Sequence, residues 1–74
     1  MNFPVVCVCD GEIGYATRFP TEQEATAFKL GFVRGAGQYA GCVMVFSSHE
    51  EADDACCHSD LLVEIDRELQ KLSV

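Results

Sequence analysis

The stretch FPVVCVCDGEIGYATRF, residues 3–19, decides the fold. It contains two runs rich in β-branched and aromatic residues, Phe3–Cys9 and Glu12–Phe19, which flank the dipeptide Asp10-Gly11. A two-residue hairpin loop needs positive φ at both of its positions, and Asp-Gly adopts this conformation readily. The stretch therefore predicts a β-hairpin with Asp10-Gly11 as its loop.

The two faces of this hairpin are both apolar. Regular pairing outward from the loop places Val8 opposite Ile13 and Val6 opposite Tyr15. Because side chains alternate along a strand, one face then carries Val6, Val8, Ile13 and Tyr15. The other carries Phe3, Val5, Cys7, Cys9, Gly14 and Ala16. A hairpin with one face in water normally alternates polar and apolar residues, so the first strand is predicted to lie inside a larger sheet.

Two capping boxes predict two helices further along the chain. Thr21-Glu22-Gln23-Glu24 opens the first, whose predicted buried stripe is Ala25, Phe28, Phe32 and Ala36. Ser48-His49-Glu50-Glu51 opens the second, which Ser59 either interrupts or restarts before the apolar pattern Leu62, Ile65, Leu69 and Leu72. Residues 42–46, between the helices, are predicted to form a third strand.

The predicted order is strand, strand, helix, strand, helix, within one compact domain that covers residues 1–74. A right-handed crossover places the third strand antiparallel beside the first. The sequence therefore predicts an α+β fold, ββαβα, in which a three-stranded antiparallel sheet of order 2-1-3 packs against two helices. A row of small residues on the first helix, Ala27, Gly31 and Gly35, is expected to allow close backbone approach to the sheet or to the other helix.

The composition restricts the classes of partner. The chain has 74 residues and a net charge of −7, whereas nucleic acid and anionic membranes both attract clustered Lys and Arg. The sign favours a protein partner with a basic surface, without direct contact to nucleic acid or membrane. A signal peptide and a membrane span are not expected, so a cytoplasmic location and five reduced cysteines are predicted.

Acidic residues are concentrated near the end of the chain. Eight of the twelve lie between residues 50 and 68: Glu50, Glu51, Asp53, Asp54, Asp60, Glu64, Asp66 and Glu68. Asp60, Glu64 and Glu68 recur every four residues and form one line on a helix, which Glu50 and Asp53 extend if the helix is unbroken. A run of charged residues usually forms a solvated surface, but carboxylates that lie in one line without basic residues between them also suit the binding of a partner. The predicted partner-binding residues are Glu50, Asp53, Asp60, Glu64 and Glu68.

The sheet offers a second candidate surface. If both helices pack on one side, the opposite face is left bare, and a contiguous apolar patch normally marks an interface. The predicted interface residues are Phe3, Val5, Val6, Val8, Ile13 and Tyr15, which would support a homodimer. The alternative is one helix on each face, which gives an ordinary monomer.

Other chemistry has weaker signals. The cysteines and histidines lack the CxxC or HxxxH spacing of a metal site. They are Cys7, Cys9, Cys42, Cys56, Cys57, His49 and His58. These cysteines are predicted to be core thiols, and no metal site, cofactor or catalytic residue is predicted. Ser47-Ser48-His49-Glu50 is interpreted as a helix cap. The glycine-rich segment 31–37, with Arg34, follows a helix and precedes a strand, the wrong order for a phosphate loop.

These patterns favour a small non-enzymatic protein-binding module, with an inhibitor that occludes a basic surface of a nucleic-acid-binding protein as the specific hypothesis. In size and charge the chain resembles host-takeover and anti-defence proteins of phages and mobile elements, although no motif carries this resemblance. Two alternatives stay open: a Cys/His metal-binding or thiol redox protein, and a self-assembling structural protein.

Overall fold

A computed structural model describes residues 2–55 and 59–73 of the protein, apart from the side chains of residues 39–41. Two strands, β1 (Phe3–Cys9) and β2 (Glu12–Phe19), precede helix α1 (Glu22–Ala36). A short 3-10 helix (Gly37–Cys42) then leads into β3 (Val43–Phe46). The chain ends with helices α2 (His49–Ala55) and α3 (Ser59–Ser73). The predicted α+β order is confirmed, and the C-terminal helical segment consists of two helices.

The three strands form one antiparallel sheet in the order β2-β1-β3, as predicted. The central position of β1 explains its apolar run, because both faces of a central strand are covered. Its middle residues Val5, Val6, Cys7 and Val8 are all 0% exposed.

A β-bulge changes the register of the hairpin. Glu12 pairs with Cys9 and Ile13 pairs with Val8, as predicted, but Tyr15 pairs with Cys7 rather than with Val6. Gly14 is the extra residue that has no partner in this register, and one extra residue in a strand moves all later side chains to the opposite face. The prediction that Tyr15 shares a face with Val6 and Val8 is therefore wrong.

The bulge places Tyr15 over α1. Its ring centroid lies 5.9 Å from that of Phe28, which in turn lies 5.2 Å from Phe19 and 5.9 Å from Phe32. These rings extend the core cluster formed by Val5, Cys7 and Ala25. One face of the sheet is therefore covered by α1.

The opposite face is covered by α2 and α3. Its buried cluster contains Val6, Val8, Phe46, Ala52, Leu61, Ile65 and Leu69. The three residues contributed by α3 recur every four positions and form one stripe on that helix. The sheet is thus enclosed between helices on both faces, which is the second of the two arrangements drawn from the sequence.

This arrangement overturns the expectation of a bare apolar face. Val5, Val6 and Val8 are fully buried under helices. Phe3 and Ile13 are half-buried and pack against opposite clusters, whereas Tyr15 remains 51% exposed. The six predicted interface residues are divided between two faces, because the helices take opposite sides and the bulge inverts part of β2.

Helix α1 begins and ends with recognisable caps. The side chain of Thr21 accepts a hydrogen bond from the backbone N–H of Glu24 at 3.2 Å, which confirms the first capping box. Gly37 has φ 58° and donates its N–H to the carbonyl of Arg34, a positive φ that glycine adopts without steric cost. Helix α1 therefore ends where the glycine permits the chain to turn.

The small residues inside α1 do not contact the rest of the chain as expected. A Cβ built on Gly31 or Gly35 would meet no heavy atom within 4 Å. Each glycine in a helix interior costs about 1 kcal/mol relative to Ala. Close backbone approach within the described part of the chain therefore does not account for these two glycines.

Candidate functional site

The eight C-terminal acidic residues do not form one surface. Helix α2 ends at Ala55 and α3 begins at Ser59, so no single helix aligns them. On α3, Asp66 faces α2, where its Oδ1 lies 2.6 Å from Nδ1 of His49. Glu64 lies about 160° away around the same helix, given 100° per residue. The line of Asp60, Glu64 and Glu68 is therefore not continued by residues of α2, and the expected single line is replaced by two surfaces.

The α3 surface carries mixed charge. Glu64 and Glu68 border a depression of about 330 Å³ together with Ile13, Arg67 and Lys71. Oε1 of Glu68 lies 3.5 Å from Nζ of Lys71. Cations are thus interleaved with two of the three carboxylates, which weakens the attraction of this surface for a basic partner.

The α2 surface carries a single sign. We use this name for the exposed carboxylates of Glu50, Asp53 and Asp54. None of the three forms an ion pair with a residue that the structure describes. The sequence of α2, HEEADDA, contains no Lys or Arg. Sequence reasoning included Glu50 and Asp53 but omitted Asp54, because Asp54 lies off the line that was traced.

Glu51, the remaining acid of α2, has a structural role instead. Its carboxylate accepts from Nζ of Lys29 on α1 at 3.1 Å and from the backbone N–H of Ser47 at 2.8 Å. The hydroxyl of Ser48 accepts from the backbone N–H of Glu51 at 3.3 Å. The interpretation of this segment as a helix cap is confirmed, and the same contacts fix α2 against α1 and β3.

His49 and Asp66 connect α2 to α3 beside a cavity of about 650 Å³. An ionised carboxylate only accepts hydrogen bonds, so Nδ1 of His49 carries the donated proton. The hydrogen bond to Asp66 raises the pKa of His49, and the negative charges of Asp66, Asp53 and Glu50 raise that pKa further. The pair favours the protonated histidine and joins the two C-terminal helices.

The cysteines differ in accessibility. Cys7 is fully buried, and burial, with a smaller effect of Cys9, raises the pKa of its thiol to about 11. Cys9 and Cys42 are exposed, so the prediction of core thiols holds for Cys7 and is wrong for these two. All three are free thiols. Within residues 2–55 and 59–73, no three His, Cys, Asp or Glu side chains are grouped to hold a metal ion. Cys56, Cys57 and His58 lie outside the described residues.

A groove, which we call the α1 groove, lies between the C-terminal half of α1 and the hairpin end of the sheet. Its volume is about 890 Å³, and no pattern in the sequence indicates it. It is lined by Cys9, Asp10, Gly31, Phe32, Gly35, Ala36, Cys42 and Val43. Gly31 and Gly35 both line the groove. The sequence shows this row of glycines, but not which side of α1 faces the sheet, so the row alone does not predict a groove.

Comparisons with known proteins give no family assignment: no protein-family model, curated protein or solved structure matches the chain. In the described part of the chain, no helix is both long enough and apolar enough to cross a membrane. Two features of the surface stand out in their chemistry. The α2 surface carries only negative charges, and the α1 groove is mainly apolar.

Proposed function

We propose that this protein is a non-enzymatic protein-binding module and that its α2 surface binds a partner with a basic surface. The observation that supports the proposal is that Glu50, Asp53 and Asp54 form no ion pair with any described residue, although the charges of Glu50 and Asp53 act on the ring of His49. Other acids of the C-terminal segment, such as Glu51, Asp66 and Glu68, already face a basic side chain. Unneutralised charge of one sign attracts and orients an oppositely charged partner.

The overall charge supports the same class of partner. With a net charge of −7, the chain repels nucleic acid and anionic lipid, whereas a protein that binds nucleic acid carries the complementary basic surface. An acidic module seated on that surface would exclude the nucleic acid. We therefore propose a cytoplasmic inhibitor of a nucleic-acid-binding protein, similar in size and charge to proteins that phages and mobile elements encode.

The proposal assigns different roles to the two acidic surfaces. The α2 surface supplies the main charge contacts. Asp60, Glu64 and Glu68 contribute less, because Arg67 and Lys71 lie among them. The self-assembly alternative has less support, because helices cover both faces of the sheet that was one surface expected to drive it. Thiol chemistry is disfavoured at Cys7, which is buried with a raised pKa, whereas Cys9 and Cys42 are exposed free thiols.

A capture experiment with charge-matched variants tests the proposal. Asp53→Lys/Asp54→Lys reverses the α2 surface near the C-terminus of a helix, where basic residues are well tolerated. Glu64→Lys/Glu68→Lys makes the same change of net charge on α3. Each chain is immobilised and exposed to nuclease-treated host lysate, after circular dichroism has established that it is folded.

The proposal expects one discrete protein to be retained by the native chain and the α3 variant and to be lost with the α2 variant. Nuclease treatment ensures that the capture does not depend on bridging nucleic acid. Equal loss with both variants would indicate that net charge alone matters. Equal retention by both would move the binding site away from the acidic residues, and either result would contradict the proposal.

A further inference from the structure

The α1 groove is lined by two exposed thiols that are neighbours across the sheet. Cys9 and Cys42 are both free and exposed, and both line the groove. Cys9 of β1 pairs with Val43 of β3, the residue that follows Cys42 in the chain. The backbone N–H of Asp10 donates to the carbonyl of Cys42 at 2.8 Å. The backbone segments that carry the two cysteines are therefore joined directly.

The spacing of these two cysteines suits a disulfide bond. Opposite residues of an antiparallel pair lie about 4.5–5.5 Å apart between their Cα atoms, and each step along a strand adds about 3.4 Å. Cys42 is one step from the partner of Cys9, which places their Cα atoms roughly 6 Å apart, within the range of about 4.4–6.8 Å for disulfides. Successive residues of a regular strand point to opposite faces, but Cys42 belongs to the 3-10 helix and lines the same groove as Cys9.

We infer that Cys9 and Cys42 form a dithiol site whose substrate is a small uncharged disulfide, R–S–S–R. The thiolate of one cysteine attacks a sulfur of the substrate, the S–S bond of the substrate breaks, and R–S⁻ leaves and takes up a proton. The second cysteine thiolate then attacks the cysteine sulfur of this mixed disulfide, and a second R–S⁻ leaves and is protonated. The two cysteines lose two electrons and two protons, and the substrate is reduced to two molecules of R–SH.

The α1 groove has room for the mixed disulfide that this exchange requires. Its volume is about 890 Å³. A Cβ built on Gly31 or Gly35, which line the α1 side, would meet no heavy atom within 4 Å. Asp10 is the one charged residue among the described residues of the lining, and the chain has a net charge of −7. Both charges repel an anionic disulfide, and an uncharged substrate avoids this repulsion.

Cys7 differs from the two groove thiols, although it is separated from Cys9 by one residue. Its side chain is 0% exposed, and burial raises the pKa of its thiol to about 11. The thiolate is the attacking species in disulfide exchange, and access to the disulfide is also required. The exchange is therefore assigned to Cys9 and Cys42 and not to Cys7.

The dithiol site is separate from the α2 surface. The groove lies where Val43 pairs with Cys9, whereas α2 begins beyond the other end of β3, after Phe46. Among the described residues that line the groove there is no acid of α2. A disulfide between Cys9 and Cys42 joins the 3-10 helix to the end of β1 and does not involve α2. The test of the dithiol site thus does not depend on the proposed function.

The test treats the folded chain with 2-hydroxyethyl disulfide, which is small and uncharged. The parent is Cys56→Ser/Cys57→Ser, which removes the thiols that lie outside the described residues, and Cys9→Ser and Cys42→Ser are each added to it. Circular dichroism establishes that every variant is folded, and the parent is also treated in urea. Intact mass separates a mixed disulfide, which adds the hydroxyethylthio group, from an internal disulfide, which removes two hydrogen atoms. Peptide mapping of both the parent and the native chain identifies the linked cysteines.

We expect the folded parent to form a disulfide between Cys9 and Cys42 through a transient mixed disulfide. The closing step is expected to be at least about tenfold faster than in urea, because the fold holds the two thiols together. Each single variant is expected to stop at the mixed disulfide, since no second thiol can resolve it. Mixed disulfides that persist on both cysteines of the folded parent would overturn the inference. So would a failure to react, a disulfide that includes Cys7, or equal closing rates in the folded and unfolded chain.

Discussion

Nδ1 of His49 lies 2.6 Å from Oδ1 of Asp66, a contact that joins the first residue of α2 to the middle of α3. Another polar contact fixes α2 at Glu51, which pairs with Lys29 of α1. The orientation of the α2 surface thus depends on pairs whose partners come from three different helices.

The His49–Asp66 contact predicts a pH dependence of stability. Asp66 raises the pKa of His49 above its ordinary value of 6.5, so the folded chain holds this proton more strongly than the unfolded chain. The stabilisation is complete below the unfolded pKa and is lost as pH rises through the higher folded pKa. We expect the free energy of unfolding in urea to fall as the pH rises from about 6.5 through the raised pKa of His49 in the folded chain.

Asp66→Asn is the control, because it removes the charge and keeps the size of the side chain. In this variant the pKa of His49, followed by NMR of its ring protons, is expected to fall, and the pH dependence of unfolding in that interval to flatten. An unchanged slope in Asp66→Asn would show that another group is responsible.

The core of the α3 face predicts a large cost for truncating Ile65. Ile65 is 0% exposed and lies against the sheet with Leu61 and Leu69. Ile65→Ala should lower the free energy of unfolding by about 2–5 kcal/mol, through lost burial and the cavity that remains. Val63 is 56% exposed on the same helix, so Val63→Ala should change the value by at most about 0.5 kcal/mol. Similar costs for both would contradict the assignment of the buried face.

Two glycines near the end of α1 predict effects of opposite sign. Gly31→Ala should stabilise the fold by about 1 kcal/mol, because the added Cβ meets no atom within 4 Å and alanine favours the helix. Gly37→Ala should destabilise by about 1–3 kcal/mol, because φ at this cap is 58°. Urea unfolding measures both. A loss of stability in Gly31→Ala would contradict the open space around Gly31 in this fold.

The thiols predict a hierarchy of reactivity. Cys9 and Cys42 are exposed, whereas Cys7 is buried and its pKa is raised to about 11. Since the thiolate is the reactive form, iodoacetamide should modify Cys9 and Cys42 in the folded chain and Cys7 only after denaturation. Peptide mass spectrometry separates the sites. Labelling of Cys7 at the rate of Cys9 under native conditions would contradict its position in β1.

Local signals in the sequence predicted most of the fold. Asp10-Gly11 located the hairpin because its turn needs particular residues, and the capping boxes located the starts of α1 and α2 because each depends on neighbours in the chain. The bulge at Gly14 was missed, since a glycine in a strand does not by itself specify a change of register. That one residue moved Tyr15 from the α3 face to the ring of Phe28.

The candidate surfaces were less predictable because they depend on tertiary structure. The apolar stripes of α1 and α3 were both visible, but no local pattern specifies that they cover opposite faces of the sheet. Charge spacing aligned Asp60 with Glu64 and Glu68, yet it did not place Arg67 and Lys71 among them. Gly31 and Gly35 are unusual inside a helix, and this is visible in the sequence. The groove beside them is not visible there, because the hairpin end of the sheet forms its other wall.

Our proposal is that the α2 surface binds a basic protein. Its most direct test is the dissociation constant of the captured partner, purified and measured by isothermal titration calorimetry against the native chain and the two charge-matched variants. The account predicts that Asp53→Lys/Asp54→Lys weakens binding by at least about tenfold, while Glu64→Lys/Glu68→Lys changes it by less than about threefold. Equal weakening by both variants, or a larger effect of the α3 variant, would contradict it.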